Sequence, residues 1–389
     1  MLTKDRRLSE LKAQIAEITP AEALALQARG AALLDVREAD EVAQGSPRGA
    51  LRITRGYLEL KVEDALPDPE RPVVALCAGG TRSLFAAGTL RELGYRHVYS
   101  LQGGFNRWKN EGLPFDVPPR LDAGARERYA RHLLMPEVGE AGQLKLLASK
   151  VLLIGAGGLG SPAAFYLAAA GVGRIGLVDH DTVDRSNLQR QILHADDRLG
   201  MPKVESAKRT LLALNPALDV QTYPTRLDSG NVESLFGGYD LIVDGSDNFP
   251  TRYLVNDACV KLGLPCVHGS VYRFEGQATV FWPRYPGRRG PCYRCLFPEP
   301  PPPELAPSCA EAGVLGVLPG VIGLIEAVEA LKLLLGIGDP LVGRLLCYDG
   351  LAQRCTEFTV TPDPGCRWCA EGAPFPGYVD YEQFCSSAA

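Results

Sequence analysis

The amino-acid sequence predicts an α/β protein of two domains. Its 389 residues exceed the usual size of one domain, and 46% of them are hydrophobic, which is ample for packed cores. Two apolar segments, 71–76 and 151–154, each run into a glycine-rich loop, as buried parallel strands do where a helix follows. A stretch with several prolines and glycines, 112–124, separates them and predicts a linker. We therefore expect one domain at 14–118 and another at 119–375.

Charge and hydropathy exclude several classes of protein. The formal net charge of −5 gives no electrostatic case for binding nucleic acid or an anionic membrane. The most apolar region, 314–338, contains Glu326, Glu329 and Lys332, so it predicts a core helix and not a membrane span. Residues 1–18 carry charges throughout and no apolar signal segment, which predicts a cytoplasmic protein with reduced thiols.

The first domain is expected to present a reactive thiol. Apolar residues at near-helical spacing in 8–18 predict a short amphipathic helix, and the strand at 71–76 later runs into Cys77. The loop after Cys77 reads Ala-Gly-Gly-Thr and leads through Arg82 into a helix, so backbone N–H groups and the helix dipole would face the sulfur. If Cys77 were only a buried apolar residue, the two glycines and Arg82 would be unexplained.

The second domain is expected to begin with a nucleotide-binding turn. After the strand at 151–154, glycines allow close approach to phosphates at a helix N-terminus. These glycines are Gly155, Gly157, Gly158 and Gly160. The next strand, 173–178, ends at Asp179, which could accept a hydrogen bond from a ribose hydroxyl. These features also fit an NAD-binding oxidoreductase, whereas a Walker-type loop is disfavoured because no Lys-Ser or Lys-Thr pair opens the helix.

The polar residues beyond Asp179 favour ATP over NAD. Amide and cationic side chains follow where a triphosphate could lie, and cations offset the negative charge of an adenylyl-transfer transition state. The run consists of Ser186, Asn187, Leu188, Gln189 and Arg190, with Lys203 further on. Another strand, 240–244, is followed by Asp247 and Asn248, and the Asp247 carboxylate is a candidate Mg²⁺ ligand. Any one of the cations alone could instead belong to a solvated face.

Cysteine spacing predicts a metal site. There are eleven cysteines, and four of them form two Cys-x-x-Cys pairs. The pairs are Cys292 with Cys295 and Cys366 with Cys369. Four thiolates can close a tetrahedral structural zinc site with no open position for water, whereas two separate redox dithiols are the alternative. Cys309 follows a proline-rich surface loop, where it could meet an activated carboxylate or only fill space before the next helix.

Residues 126–370 resemble the MoeB/ThiF family, the bacterial relatives of ubiquitin-activating enzymes. The matching pieces, in order, are RERYARHLLMPEVGEAGQ, GAGGLGSP, VDHDTVDRSNLQRQ, MPKVESAK, DGSDN, EGQATVF, PCYRCLF, CAEAGVLG and PGCRWC. Members of this family adenylate the C-terminal glycine of a small ubiquitin-like sulfur carrier. The resemblance therefore implies a Rossmann-like ATP-binding domain that uses ATP and Mg²⁺ and holds a structural zinc.

The same resemblance implies roles for particular residues. The ATP site would be lined by Gly158, Asp179, Ser186, Asn187, Arg190, Lys203, Asp247 and Asn248. Arg131 would reach the phosphates from the other subunit of a homodimer, although His132 stands where many relatives carry glutamine. The two Cys-x-x-Cys pairs would hold the zinc, and Cys309 would occupy a position that forms covalent acyl intermediates in some members.

Residues 18–117 resemble a single rhodanese domain. The matching pieces are LLDVRE, RPVVAL followed by CAGGTRS, and LQGGFNRW. The loop cysteine of that family carries a persulfide, which here would be Cys77, with Arg82 closing the loop. Many rhodanese loops have a cation directly after the cysteine, whereas this one has Ala78, which leaves the identity of the sulfur donor open.

Together these expectations describe a two-step sulfur-activation enzyme. An adenylyltransferase site would activate a ubiquitin-like carrier ending in Gly-Gly, and a sulfurtransferase site, loaded by thiosulfate or a cysteine desulfurase, would convert the adenylate into a thiocarboxylate. Likeness to MoeB makes molybdopterin, and so molybdenum cofactor biosynthesis, the expected destination, with thiamin thiazole and tRNA thiolation as alternatives. Two rivals remain. One is an NAD-binding oxidoreductase, which Asn187 and Arg190 disfavour, and the other is a non-catalytic scaffold, in which Cys77 would not need to be reactive.

Overall fold

The chain forms two compact units, Met1–Arg120 and Leu121–Ala389, and each contains its own parallel sheet. The computed structural model describes residues 3–301, 313–379 and Tyr381. Within these ranges, no helix is both long and apolar enough to cross a bilayer.

The first unit is built on a five-stranded parallel sheet. The strands of this unit are β1 (Ala16–Ile18), β2 (Ala32–Asp35), β3 (Ser46–Pro47), β4 (Leu51–Arg52), β5 (Val73–Leu76), β6 (Val98–Leu101) and β7 (Phe115–Asp116). Its helices are α1 (Lys4–Gln14), α2 (Pro20–Ala28), α3 (Ala39–Val42), α4 (Leu58–Ala65), α5 (Thr81–Glu92) and α6 (Gly104–Asn110). The order β1-β6-β5-β2-β4 reverses between β2 and β5, and Cys77 directly follows β5. Open α/β sheets bind ligands at such a reversal.

The predicted amphipathic helix at the N-terminus is present, but it is shorter than the apolar pattern. It ends at Gln14, because Ile15 adopts an extended backbone that leads into β1. Leu11 and Ile15 are both buried. Leu11 packs so closely on Gly88 of α5 that a Cβ at that glycine would displace it.

The second unit is built on an eight-stranded sheet in the order β10-β9-β8-β11-β12-β13-β14-β15. Its strands are β8 (Lys150–Ile154), β9 (Arg174–Val178), β10 (Asp219–Tyr223), β11 (Leu241–Asp244), β12 (Cys266–Tyr272), β13 (Glu275–Phe281), β14 (Arg344–Asp349) and β15 (Arg354–Thr359). Its described helices are α7 (Ala123–Arg128), α8 (Ala130–Leu133), α9 (Gly139–Ala148), α10 (Gly160–Ala170), α11 (Lys203–Leu214), α12 (Val232–Phe236), α13 (Phe249–Leu262), α14 (Tyr293–Leu296) and α15 (Leu318–Leu335). The strands from β10 to β12 are parallel, and those from β12 onward pair antiparallel.

The 18-residue helix α15 holds the nucleotide turn against the sheet. It packs against α10 and against β12 and β13. Gly323 lies so close to the carbonyl oxygen of Leu159 that any Cβ there would overlap it. The predicted core helix at 314–338 is confirmed, and it ends at Gly336, whose φ of +74° stops the helix.

The predicted α/β class with two domains is confirmed by this arrangement. The domain limits at 14–118 and 119–375 stay a prediction.

Candidate functional site

A crevice lies at the C-terminal ends of β8 and β11, where the strand order of the second unit reverses. The chain leaving β8 forms one wall and the chain leaving β11 forms the other, which is the usual ligand position in an open α/β sheet. The predicted nucleotide residues that line it are Gly155, Gly157, Gly158, Asp179, Arg190, Lys203, Asp247 and Asn248.

The glycine turn and Asp179 are joined by hydrogen bonds. Gly155 has a φ of +93°, a left-handed conformation that favours glycine, and it turns the chain away from β8. The N–H of Ala156 donates to Asp179 Oδ2 over 2.8 Å, and the N–H of Asp181 donates to Oδ1 over 2.9 Å. These bonds hold the carboxylate beside the turn, and its remaining lone pairs can accept from a ribose hydroxyl.

A buried histidine, His194, supports the same turn. Its Nε2 lies 2.9 Å from the carbonyl oxygen of Ala156, and its Nδ1 lies 3.0 Å from Ser206 Oγ. Because a carbonyl can only accept, we assign the proton to Nε2 and the acceptor role to Nδ1. Burial lowers the pKa of His194, so the ring is neutral near pH 7. The turn is thereby tied to α11, the helix that begins with Lys203.

The two predicted cations, Arg190 and Lys203, line the crevice. Lys203 Nζ lies 2.7 Å from Asp181 Oδ2, and the lysine side chain is only 7% exposed. Burial opposes the charge of Asp181, yet the hydrogen bond from Lys203 holds the pKa of that carboxyl below its usual value. Arg190 donates to the carbonyl oxygen of Ser186 over 3.2 Å, and no described carboxylate pairs with it. Arg190 is therefore available to phosphate oxygens, whereas Lys203 lines the crevice while it is paired with Asp181.

Asp247 and Asn248 have different roles at the other wall. Asn248 Oδ1 accepts the N–H of Thr251 over 3.0 Å and caps the start of α13. Asp247 is exposed, and its Oδ1 lies 3.5 Å from Asn248 Nδ2. Its carboxylate can therefore take a divalent cation, whereas the Asn248 side chain shapes the helix terminus.

Several predicted residues lie away from the crevice wall. Gly160 begins α10 and packs on the carbonyl oxygen of Gly155, so its role is close packing of the turn. Four predicted residues on the segment before Arg190 also do not line the crevice. They are Ser186, Asn187, Leu188 and Gln189. Ser186 instead bonds to Asp184 through its N–H and hydroxyl. Arg131 is exposed on α8 and does not line the crevice of its own chain.

Polar residues to which the sequence analysis assigned no role complete the crevice. Asp181, Ser246 and Arg252 line it, and the Asp-x-Asp spacing could have identified the first of them. Behind Ser246 lies a buried pair in which His268 Nδ1 is 2.9 Å from Asp244 Oδ2. Burial opposes the charge of Asp244, but the hydrogen bond from His268 holds its pKa below the usual value. No local pattern links these two, because the β11–β12 pairing sets them opposite each other.

In the first unit, Cys77 lies at the end of β5 beneath the loop that leads into α5. Its side chain is 1% exposed, and the N–H of Gly80 donates to its Sγ over 3.1 Å. The thiol in turn donates to Ser83 Oγ over 3.6 Å. A backbone N–H is therefore already aimed at the sulfur, as the sequence predicts for a loop that stabilises a sulfur anion.

Arg82 beside this loop is held by a carboxylate. Its Nη1 and Nη2 lie 2.7 and 2.5 Å from the two oxygens of Glu41. The Glu41 carboxylate, and more weakly Cys77, raises the pKa of Arg82, and the hydrogen bond from Arg82 lowers the pKa of Glu41. Glu41 therefore orients the guanidinium, although no sequence motif pointed to it.

The four predicted metal ligands come together in the second unit. The Sγ atoms of Cys292 and Cys295 are 3.8 Å apart, those of Cys292 and Cys366 3.7 Å, and those of Cys295 and Cys369 3.4 Å. A tetrahedral zinc with Zn–S bonds of about 2.3 Å requires S–S distances of about 3.8 Å, whereas a disulfide requires about 2.05 Å. The donor set and spacing of this four-cysteine cluster therefore fit zinc better than two dithiols. Cys309 lies outside the described residues.

Two family descriptions match the chain. The ThiF family matches residues 129–368, which is more than half of the chain, and the rhodanese-like domain matches residues 19–111. The first match contains the crevice, and the second contains the Cys77 loop.

Named relatives are similar to this chain over 260 to 279 residues. A sulfur carrier protein adenylyltransferase of Thermus thermophilus is 54% identical over 260 residues, which span 67% of this chain and 96% of the relative. The SAMP-activating enzyme E1 of Haloferax volcanii is 51% identical over 267 residues, spanning 68% and 97% of the two chains. A probable adenylyltransferase/sulfurtransferase MoeZ of Mycobacterium tuberculosis is 52% identical over 279 residues, spanning 71% and 70%.

A solved structure shares the fold. The crystal structure of E. coli MccB with ATP has a TM-score of 0.54 and 22% identity, covering 62% of this chain and 74% of that chain. At this identity the likeness concerns the fold alone. From the family matches and the named relatives, we conclude that the chain is an enzyme of the ThiF family, an adenylyltransferase with a rhodanese-like sulfurtransferase domain before it.

Proposed function

We propose that this enzyme adenylates the C-terminal glycine of a ubiquitin-like sulfur carrier and then converts it into a thiocarboxylate. The observation that carries the proposal is the crevice, which is lined by a ribose acceptor, the cations Arg190 and Lys203, and an exposed carboxylate. An ATP–Mg²⁺ complex requires this combination. The carrier is proposed from the relative named a sulfur carrier protein adenylyltransferase.

In the first step, the carrier carboxylate attacks the α-phosphorus of ATP, and the bond to the bridging oxygen breaks to release pyrophosphate. Asp179 accepts from the ribose, while Arg190 and Lys203 offset the charge that develops on the α-phosphate. Asp247 would hold Mg²⁺, which neutralises phosphate charge when bound. The contact of Lys203 with Asp181 keeps the ammonium group in place before the nucleotide arrives.

In the second step, sulfur passes through Cys77. Its thiolate takes a sulfane sulfur from thiosulfate, which leaves as sulfite, or from the persulfide of a cysteine desulfurase. The terminal sulfur then attacks the acyl carbon, AMP leaves, and an acyl disulfide joins the carrier to Cys77. A thiol reductant supplies two electrons to cleave the S–S bond and release the thiocarboxylate. The Gly80 N–H and the Arg82 guanidinium would stabilise the sulfur anion, and Cys309 is the alternative acyl acceptor.

The four-cysteine cluster is proposed to hold a structural zinc. Four thiolates leave no position for a water ligand, which excludes the usual catalytic role of zinc. Thiolates of this kind persist in a reducing compartment, which supports the cytoplasm as the place of action.

The active form is proposed to be a homodimer in which Arg131 of one subunit binds the phosphates in the crevice of the other subunit. Large apolar side chains are exposed close to Arg131 and Arg190 in the sequence, and such surface favours association. They are Leu134, Met135 and Ile192, which are 73%, 46% and 59% exposed.

A mixing experiment tests this arrangement. Arg131→Ala and Asp247→Ala chains should each be inactive alone. In an equal mixture about half of the dimers contain one chain of each kind, and each such dimer has one intact site of two, so about a quarter of the wild-type activity should return. No recovery in a mixture that forms dimers by sedimentation would overturn the shared site.

The thiocarboxylate is proposed to serve molybdopterin synthesis, from the likeness to MoeB. Thiamin thiazole and tRNA thiolation use the same chemistry, and the choice depends on the carrier and on the enzyme that consumes it.

The overall function is tested with the full chain, a Gly-Gly-ended carrier, ATP, Mg²⁺, thiosulfate and a thiol reductant. Pyrophosphate release reports adenylation, and the intact mass of the carrier reports exchange of one oxygen for sulfur. Asp247→Ala should lose both readouts, because activation precedes sulfur transfer. Cys77→Ala should retain pyrophosphate release and lose the mass gain. Cys355→Ala, which removes an exposed thiol of the second unit, should behave as the wild type.

Two results would overturn the proposal. Full pyrophosphate release by Asp247→Ala would remove the adenylation site from this crevice. A normal mass gain with Cys77→Ala would show that the rhodanese-like part only docks partners.

A further inference from the structure

We propose that a cationic cavity beside the four-cysteine cluster binds a compact anion carrying two or more negative charges. The cavity has a volume of about 570 Å³ and lies between the end of α13, the segment after β13 and the residues around Cys369. Its cations are Lys261, Arg284, Arg288 and Arg289, and the carboxylate among its described lining residues is Glu371. The chain as a whole is acidic, so four cations around one cavity form a local excess of positive charge.

The cavity is separate from the nucleotide crevice. Asn248 caps α13 at the crevice, whereas Lys261 lies in the last turn of that 14-residue helix. At 1.5 Å per residue, the two ends are about 20 Å apart. The described residues that line the two sites do not overlap. An anion in the cavity is therefore distinct from the triphosphate.

Two of the arginines, Arg284 and Arg288, form no ion pair with a described residue. Arg288 and Arg289 each donate over 2.9 Å to a neutral carbonyl oxygen, those of Val342 and Asp363. Arg284 makes no hydrogen bond or ion pair with another described residue and is exposed at the cavity mouth. Since like charges at short range repel, an anion among these guanidinium groups lowers the electrostatic energy and can receive bidentate hydrogen bonds.

Lys261 contributes less charge, because it pairs with Glu233. Aromatic rings complete the walls, with Lys261 5.2 Å from the Phe375 ring centroid and Arg288 5.6 Å from that of Tyr285. The volume is that of a small-molecule pocket and is too small for a folded partner. Charge and size together point to a small oligoanion, such as a pyrophosphate or a tricarboxylate.

Arg289 connects the cavity to the metal ligands. Its Nη2 lies 3.4 Å from Cys369 Sγ, and its Nε is buried with no hydrogen-bond partner among the described residues. A buried N–H without an acceptor is unfavourable, so this guanidinium still has donor capacity. Arg289 therefore contributes less charge to the cavity than Arg284 and Arg288 do, because the Cys369 sulfur lies beside it.

Titration calorimetry of the full chain tests the proposal, with inorganic pyrophosphate and citrate as probes at constant ionic strength. Citrate should bind once per chain, and pyrophosphate should bind in the cavity in addition to the nucleotide crevice, because the cavity recognises charge. The double variant Arg284→Gln/Arg288→Gln should weaken binding at least about tenfold, since it removes two charges from the walls. The matched control Arg209→Gln/Arg354→Gln removes the same charge from exposed positions elsewhere and should bind as the wild type. Lys203→Ala, in the nucleotide crevice, should also retain cavity binding.

Unchanged affinity in the Arg284/Arg288 variant, or an equal loss in the matched control, would overturn the proposal. Loss confined to Lys203→Ala would assign the anion to the crevice and overturn it as well. Neither titration requires the carrier or sulfur transfer. This proposal and the proposed function can therefore fail independently.

Discussion

Among single residues, Glu326 on α15 belongs to no motif and yet has a marked physical effect. It is fully buried against Gly269 of β12, and neither carboxyl oxygen has a hydrogen-bond partner among the described residues. Burial raises its pKa well above the usual value, the nearby Asp244 adds to this, and Arg252 only partly offsets it. Burial therefore favours the protonated, neutral form of this carboxyl group over the carboxylate.

Glu326→Gln should stabilise the protein. A raised folded-state pKa gives stability that is present below the unfolded value near 4.5 and is lost as pH rises toward the folded value. Glutamine has the same size and does not titrate, so the advantage of the variant should grow from pH 5 to pH 8. The difference in the free energy of unfolding between the variant and the wild type can grow by up to about 1.4 kcal/mol per pH unit. Urea unfolding across that range measures it.

Glu329 offers a matched control on the same helix. Its Oε2 accepts the N–H of Leu341 over 2.7 Å, and its Oε1 pairs with Lys332 at 2.6 Å. Because these bonds use the charged form, Glu329→Gln should destabilise by about 1–3 kcal/mol. A pH-independent effect of Glu326→Gln would contradict the neutral buried carboxyl.

Between elements, the start of α6 determines the shape of the thiol loop. The N–H groups of Phe105 and Asn106 donate to the carbonyl oxygens of Cys77 and Ala78 over 2.7 and 3.1 Å. Gly104 has a φ of +59°, and a Cβ there would overlap the carbonyl oxygen of Cys77. The loop that presents the sulfur is therefore positioned by a helix that follows a different strand.

Gly104→Ala should displace this loop. Backbone strain and the overlap together should cost about 2–4 kcal/mol, and Cys77 should take up less sulfur from thiosulfate. Gly112→Ala is the control, because Gly112 has a similar φ of +69° with nothing within 4 Å of the added Cβ. It should cost only about 1 kcal/mol of strain. Thermal unfolding and the mass of the Cys77 peptide measure both effects, and equal losses in the two variants would refute the packing argument.

Over the whole molecule, the four-cysteine cluster joins segments that lie far apart in the sequence. Two of its thiols follow β13, and the other two follow β15, the edge strand whose residues are all exposed. A metal at the cluster would hold the chain after this edge strand against α14. An exposed edge strand has little burial of its own, so this attachment supplies stability that packing does not.

Removal of zinc should therefore destabilise the second unit alone. Cys366→Ser should lose about one zinc per chain and lower the melting temperature of the second unit by roughly 5–15 °C, because four-thiolate coordination contributes folding free energy. The transition of the first unit should not change, since its described residues include none of the ligands. Cys355→Ser, an exposed position on β15, should keep the metal. Elemental analysis and calorimetry measure both quantities, and full zinc content in Cys366→Ser would contradict the assignment.

The amino-acid sequence by itself determined the α/β class and the chemistry that depends on short-range spacing. The glycine turn after β8, Asp179 at the end of β9, Cys77 before its loop and the Cys-x-x-Cys pairs are all local patterns. They can be predicted because tight turns, strand ends and chelation require particular residues a few positions apart. Asp247 could also be proposed from its place after a strand, whereas Lys203 alone could belong to a solvated face, and the family resemblance strengthened its assignment.

Only the tertiary structure decided which distant side chains meet. The register of β11 against β12 sets Asp244 opposite His268, and the packing of α11 brings Lys203 to Asp181. Packing between distant elements also pairs Glu41 with Arg82. It likewise buries Glu326 without a described hydrogen-bond partner. Burial, charge state and pairing of such groups depend on register and on packing between elements far apart in the chain, which no local pattern encodes.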